Sequence, residues 1–100
     1  MNTTLIVIYT TRLEECREFY QKLGLPLLPE KHGSGPEHYA AVLDGGHVFE
    51  LYPARSGEPT GRLRLGFSLK PTAAYPVGRH IVQDPDGRAI ELHVEEVEAN

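Results

Sequence analysis

The sequence predicts a small α+β domain with a mainly antiparallel sheet and one principal helix. Three observations predict it. The first is the solid apolar, β-branched run Leu5 to Tyr9, which suits a buried strand. The second is a single amphipathic stripe, Leu13, Cys16, Phe19, Tyr20 and Leu23, at helical spacing. The third is an internal echo: Gly46-His47-Val48-Phe49-Glu50-Leu51-Tyr52 parallels Gly87-Arg88-Ala89-Ile90-Glu91-Leu92-His93. Each copy has a turn glycine followed by a strand that carries Glu-Leu at the same offset, so two related halves are expected.

In chain order, the helix is expected from about Arg12 to Leu23. Thr11-Arg12-Leu13-Glu14 has the form of a capping box at its start, and Gly24 occupies the position of a C-terminal glycine. Leu25 to Glu30 contains Pro26 and Pro29 and is an edge strand at best. Lys31 to Pro36 is a loop. His38 to Leu43 and His47 to Tyr52 are strands joined through Asp44-Gly45-Gly46. The polar, Gly- and Pro-containing stretch from Pro53 to Gly61 is a linker. Arg62 to Leu69, Arg79 to Gln83 and Arg88 to Val94 are three further strands. Asp84-Pro85-Asp86-Gly87 between the last two suits a three-residue hairpin loop, with Gly87 taking positive φ. That loop sets Ile81 opposite Glu91 and Arg79 opposite His93. Where the first half has its helix, the second has only Lys70 to Val77, broken by Pro71 and Pro76. The expected organisation is one domain over residues 1–100: a first module over about 4–53, a linker over 54–61 and a shortened second module over about 62–95.

Composition restricts the partners. The 100 residues are 40% apolar and 24% charged, with a formal charge of −4, as in an ordinary globule. That balance offers no basic stripe for nucleic acid or an anionic membrane. No apolar run is long enough to span a bilayer, and no leader pattern precedes Leu5, so a cytoplasmic location is expected. One cysteine excludes an intrachain disulfide and a four-cysteine zinc site.

Two segments resemble the vicinal oxygen chelate superfamily, which includes glyoxalases, bleomycin-resistance proteins and extradiol dioxygenases. Phe19-Tyr20-Gln21-Lys22-Leu23-Gly24-Leu25 is similar to that group's Phe-Tyr-x-x-x-Leu-Gly-Leu segment, one residue shorter. Asp84-Pro85-Asp86-Gly87-Arg88-Ala89-Ile90-Glu91-Leu92 is similar to its closing Asp-Pro-Asp-Gly-Asn-x-Ile-Glu-Leu hairpin. The resemblance covers nearly the whole chain and implies paired βαβββ modules curved around a cavity, with the second module lacking its helix. It also places the superfamily's four metal-ligand positions at Leu5, Glu50, Arg64 and Glu91. Leucine offers no donor, and arginine carries a fixed charge with no lone pair to give. The resemblance therefore implies a chain without an intact metal site, and neither a metal nor another cofactor is expected. Glyoxalase-like lyase, dioxygenase and thiol-transferase chemistry becomes the alternative. A degenerate dimerisation module without a ligand is a second alternative.

Strand alternation gives Glu50 the same face as Val48 and Tyr52, and Glu91 the same face as Ala89 and His93. Leu5, Val7 and Tyr9 join the first set; Arg64, Gly66 and Ser68 join the second. Ile6, Ile8, Phe49, Leu51, Ile90 and Leu92 then face the core. The candidate ligand-binding residues are Tyr9, Glu50, Tyr52, Arg64, Arg79, Glu91 and His93. Arg64 is expected between the two glutamates, and the near-neutral cluster suits a neutral or zwitterionic organic molecule. Plainer readings stand beside these. Glu50 and Glu91 also suit solvated strand positions, Arg64 a surface charge, His93 an ordinary strand polar residue, and Tyr9 and Tyr52 core rings. His32, His38 and His47 show no ligand spacing in sequence and read as structural, as do His80, which shares the Val82 face, and Cys16 on the helix stripe. The helix-less second half leaves apolar sheet surface exposed, so a homodimer is expected.

Overall fold

The computed structural model describes residues 1–55 and 57–96; Ser56 of the expected linker and the last four residues lie outside the described residues. The chain divides into two compact units, Met1–Gly61 and Arg62–Asn100. Each carries one mixed sheet.

In the first unit, β1 (Leu5–Thr10) leads into α1 (Leu13–Leu23), then β2 (Leu28–Glu30), β3 (His38–Val42), a single 3-10 turn at Asp44–Gly46, and β4 (Val48–Pro53). The sheet order is β1-β4-β3-β2. β4 is therefore central, parallel to β1 and antiparallel to β3. The helix crossover lets β1 and β4 run parallel, while the Gly45-Gly46 turn, with both φ positive, reverses β3 into β4. The proline-bearing β2 takes the edge, where its missing N–H is harmless.

Alternation separates the two faces of this sheet. Ile8, Phe49 and Leu51 are fully buried on the helix side, with Cys16 and Tyr20 of α1. The Tyr20 ring lies 5.1 Å from Phe49. Each such apolar side chain contributes about 1.5–3 kcal/mol on leaving water. The helix ends as expected at Gly24, whose φ of 110° lets its N–H donate to Gln21 O at 3.0 Å, while Leu25 N–H donates to Tyr20 O at 3.1 Å. The start differs from expectation. The helix N-cap is Arg12, with no side-chain capping hydrogen bond, so the Thr11–Glu14 capping box does not form. Thr10 Oγ1 accepts the Arg12 N–H at 3.0 Å, and the Glu14 carboxylate is taken by Arg17 one turn on and by Tyr39 of β3.

In the second unit, β5 (Arg64–Leu69), β6 (Gly78–Gln83) and β7 (Ala89–Val94) form a sheet in the order β5-β7-β6. β7 is parallel to β5 and antiparallel to β6. Its register sets Ile81 opposite Glu91 and Arg79 opposite His93, as the hairpin loop requires. No helix occurs among its described residues. The echo extends to register: Leu5 and Arg64 pair with Val48 and Ala89, each two residues before a glutamate. Ile90, Leu92 and Val94 are buried, as alternation demands.

The β6–β7 loop is built around a charge. Asp84 Oδ1 accepts the backbone N–H groups of Asp86 (2.9 Å) and Arg88 (3.0 Å), and Oδ2 accepts Arg88 Nη1 at 2.9 Å. Arg88 Nη1 also lies 3.0 Å from Asp86 Oδ2. Gly87, at φ 87°, closes the turn by donating to Asp84 O. Asp84 and Arg88 are both buried, so the loop carries an internal ion pair.

Candidate functional site

The first unit turns one sheet face away from its helix. Directly paired strand residues project to the same side, so the registers lay out rows across this face. One row is Leu5, Val48 and Val42; the next is Val7, Glu50, Ala40 and Leu28. The third begins with the pairs Tyr9–Tyr52 and Glu30–His38. Ring contacts join those two pairs. The Tyr9 and Tyr52 centroids are 5.7 Å apart, and His38 stacks on Tyr52 at 4.0 Å with planes 11° from parallel.

Of the candidate residues, this unit holds Tyr9, Glu50 and Tyr52. Tyr9 is 45% exposed, whereas the Glu50 side chain is only 13% exposed. Burial, then the negative charges of Glu50 and Glu30, hold the Tyr52 hydroxyl proton, raising its pKa above the ordinary 10.0. Tyr9 instead has its backbone N–H on Thr60 Oγ1 at 2.9 Å.

The site also gains residues that sequence spacing passed over. His38 was read as structural, yet its buried ring joins the aromatic row, and its Nε2 lies 3.4 Å from Glu50 Oε2 and 3.6 Å from Glu30 Oε1. His32 Nε2 lies 2.5 Å from Glu30 Oε1. The ligand atoms of Glu30, His32 and His38 all fall within 4.8 Å of one another. His32 and His38, which show no ligand spacing along the chain, therefore converge with Glu30 in space. The cause is the antiparallel return of β3 on β2, which sets His38 opposite Glu30. A signal was available in sequence: Glu30-x-His32 followed by His38 across a Gly- and Pro-rich loop. The remaining two histidines do make structural contacts: His47 Nδ1 lies 2.7 Å from Thr3 O, and His80 Nε2 lies 2.7 Å from Pro76 O.

The second unit holds Arg64, Arg79, Glu91 and His93. Glu91 is the hub: Oε1 accepts from Arg79 Nε at 2.8 Å and from Arg79 Nη2, and Oε2 accepts from Arg64 Nη2 at 3.2 Å. These bonds, Arg79's foremost, lower the Glu91 pKa below 4.5, with smaller help from the charge of Arg64 and then His93. His93 itself is exposed. Within the second unit Arg64 is bonded to Glu91.

The superfamily's metal positions do not fit an ion as they stand. Leu5 has no donor atom, Arg64 presents only N–H groups and spends one on Glu91, and Glu91 is occupied by two guanidiniums. Glu50 lies beside the His38 ring, its Oε2 3.4 Å from Nε2.

The fold is similar to that of several solved structures, among them a glyoxalase-type enzyme, as the two motifs led us to expect. It is similar to an oxidase, ChaP-H2, with a TM-score of 0.63 and 14% identity over 95% of this chain and 94% of that one. It is also similar to TnmS3, an antibiotic binding protein from Streptomyces sp. CB03234, with a TM-score of 0.62 and 18% identity over 96% and 97%. A lactoylglutathione lyase from Agrobacterium tumefaciens matches with a TM-score of 0.59 and 16% identity over 93% and 92%. No protein-family model matches the chain. No curated protein matches it. At these identities the likeness establishes the fold, and the functional reading has to come from the site. No helix among the described residues is long and apolar enough to cross a membrane.

Proposed function

We propose that this chain binds a small, flat organic molecule and does so without the superfamily's four-position metal centre. The observation that carries the reading is the aromatic row of Tyr9, Tyr52 and His38 on the helix-free face of the first sheet, with Glu50 beside it. Aromatic faces with a few polar groups at their edge are what such ligands stack on. The similarity in fold to an antibiotic binding protein is consistent with this class of ligand. Leu5 and Arg64 at two of the four metal positions argue against glyoxalase-like chemistry there.

The test is a thermal-shift screen of planar aromatic antibiotics with a chelator present throughout. A binder at one hundred times its Kd stabilises the fold by about 2.7 kcal/mol. The expected result is a rise in Tm for wild type that is lost in Tyr52→Ala. No shift across the panel, or a shift that survives both Tyr9→Ala and Tyr52→Ala, overturns the reading.

We also infer a homodimer in solution. Leu5 and Val42 stand 52% and 66% exposed on the helix-free face of the first sheet, and Val77 and Ile81 stand 55% and 56% exposed in the second unit. Exposed apolar side chains of this kind favour association. Light scattering at micromolar concentration checks it, and a monomer mass refutes it.

A further inference from the structure

We propose that Glu30, His32 and His38 form a binding site for one divalent transition-metal ion, at the β2–β3 edge of the first sheet and apart from the superfamily's four positions. The inference goes beyond the ligand reading above and does not rest on it.

The argument begins with the tautomer of His38. Its Nδ1 lies 3.1 Å from the backbone oxygen of Pro36. A carbonyl can only accept, so Nδ1 carries a hydrogen and Nε2 of the neutral ring presents a lone pair. That Nε2 is buried, in a side chain only 1% exposed, and has no hydrogen-bond partner. Its nearest polar neighbours are carboxylate oxygens, Glu50 Oε2 at 3.4 Å and Glu30 Oε1 at 3.6 Å. A buried lone pair facing two carboxylates is electrostatically unfavourable unless positive charge lies among them. A metal cation supplies it, and the surrounding donors favour one.

Three features do so. First, zinc-type bonds of about 2.1 Å at tetrahedral angles put neighbouring donor atoms about 3.4 Å apart. The two His38–carboxylate separations already have nearly that span. Second, a backbone carbonyl holding the far nitrogen of the ring is the usual support for a metal-bound histidine; Pro36 provides it. Third, His32 brings a second imidazole beside the same carboxylate, with its ring centroid 5.2 Å from that of His38. The 2.5 Å contact between His32 and Glu30 has to open by about 1 Å to admit an ion. Their side chains are 69% and 40% exposed, so little resists that movement. Two imidazoles with one carboxylate, and Glu50 adjacent to the buried histidine, suit Zn²⁺, Co²⁺, Ni²⁺ or Fe²⁺ in preference to Mg²⁺ or Ca²⁺.

The experiment uses the full chain, made without a polyhistidine tag, stripped with chelator and desalted. Zn²⁺ is titrated calorimetrically, and Co²⁺ is followed by its visible absorption. One ion per chain is expected, with affinity reduced at least about tenfold in both Glu30→Gln and His32→Ala. Both residues lie toward the surface, so neither variant depends on the core tolerating a change; His38→Gln should abolish binding, with circular dichroism checking its fold. Absence of saturable uptake overturns the proposal. So does uptake that is unchanged in Glu30→Gln and His32→Ala. Uptake lost only in Glu50→Gln and Glu91→Gln overturns both this proposal and the metal-free reading of the superfamily positions. Because the organic-ligand screen is run in chelator, failure of either reading leaves the other separately measurable.

Discussion

The imidazole of His38 lies flat on the ring of Tyr52, with centroids 4.0 Å apart and planes 11° from parallel. The two residues sit on adjacent antiparallel strands, one row from the Glu50–Ala40 pair, so the sheet fixes the stack. Replacing Tyr52 by Ala removes both its contact with Tyr9 and the surface beneath His38. The expected loss is about 1–2 kcal/mol by urea denaturation, with Tyr52→Phe near wild type because the rings remain.

Glu91 gives a pH dependence of defined sign. Its carboxylate is stabilised in the folded state, chiefly by Arg79, so the folded pKa lies below the ordinary 4.5. The unfolded chain therefore takes up this proton first as pH falls, and the contribution, complete above 4.5, disappears as pH drops through the folded value. Glu91→Gln should lower Tm at pH 7, and the difference from wild type should close at progressively acid pH. The effect is small, because Arg64 and Arg79 are 60% and 58% exposed and well screened. A gap that widens on acidification contradicts the assignment.

The Asp84–Arg88 pair makes the opposite case, since both side chains are almost wholly buried. Asp84→Ala takes a buried counter-charge from the Arg88 guanidinium and an acceptor from two backbone N–H groups. A loss of about 3–5 kcal/mol is expected. Asp86→Ala should cost clearly less, because the Asp86 side chain is 17% exposed whereas that of Asp84 is 0%. Equal losses for the two variants, read from urea midpoints at constant m-value, contradict this account.

At Gly24 the conformation, not crowding, sets the requirement. A methyl group there would meet nothing within 4 Å, but φ is 110°. Gly24→Ala is therefore expected to destabilise by about 1–2 kcal/mol through backbone strain alone. Chemical denaturation measures it; a neutral result would mean that the helix end relaxes to another turn.

Much of the fold was legible because its determinants are local. β-branched runs, a helical stripe and turn glycines mark elements by short-range periodicity and sterics. The Asp84 to Gly87 loop even fixed the register that sets Ile81 opposite Glu91. Alternation correctly sent Ile8, Phe49, Leu51, Ile90 and Leu92 inward, since burying the wrong face of a strand is costly. The Thr11–Glu14 capping box does not form for the complementary reason: Arg17 and, across the fold, Tyr39 take the Glu14 carboxylate, and only the folded chain brings Tyr39 there.

The amino-acid sequence by itself determined where strands, helix and turns fall and which residues share a face. Tertiary structure decided which polar groups meet. Glu30 and His38 are brought together by β2 returning along β3, and Arg88 is buried against Asp84 by the closing of its hairpin. Pattern along a chain encodes direction of projection, but the partner of a buried imidazole or guanidinium is set by strand pairing across the sheet, which periodicity does not carry.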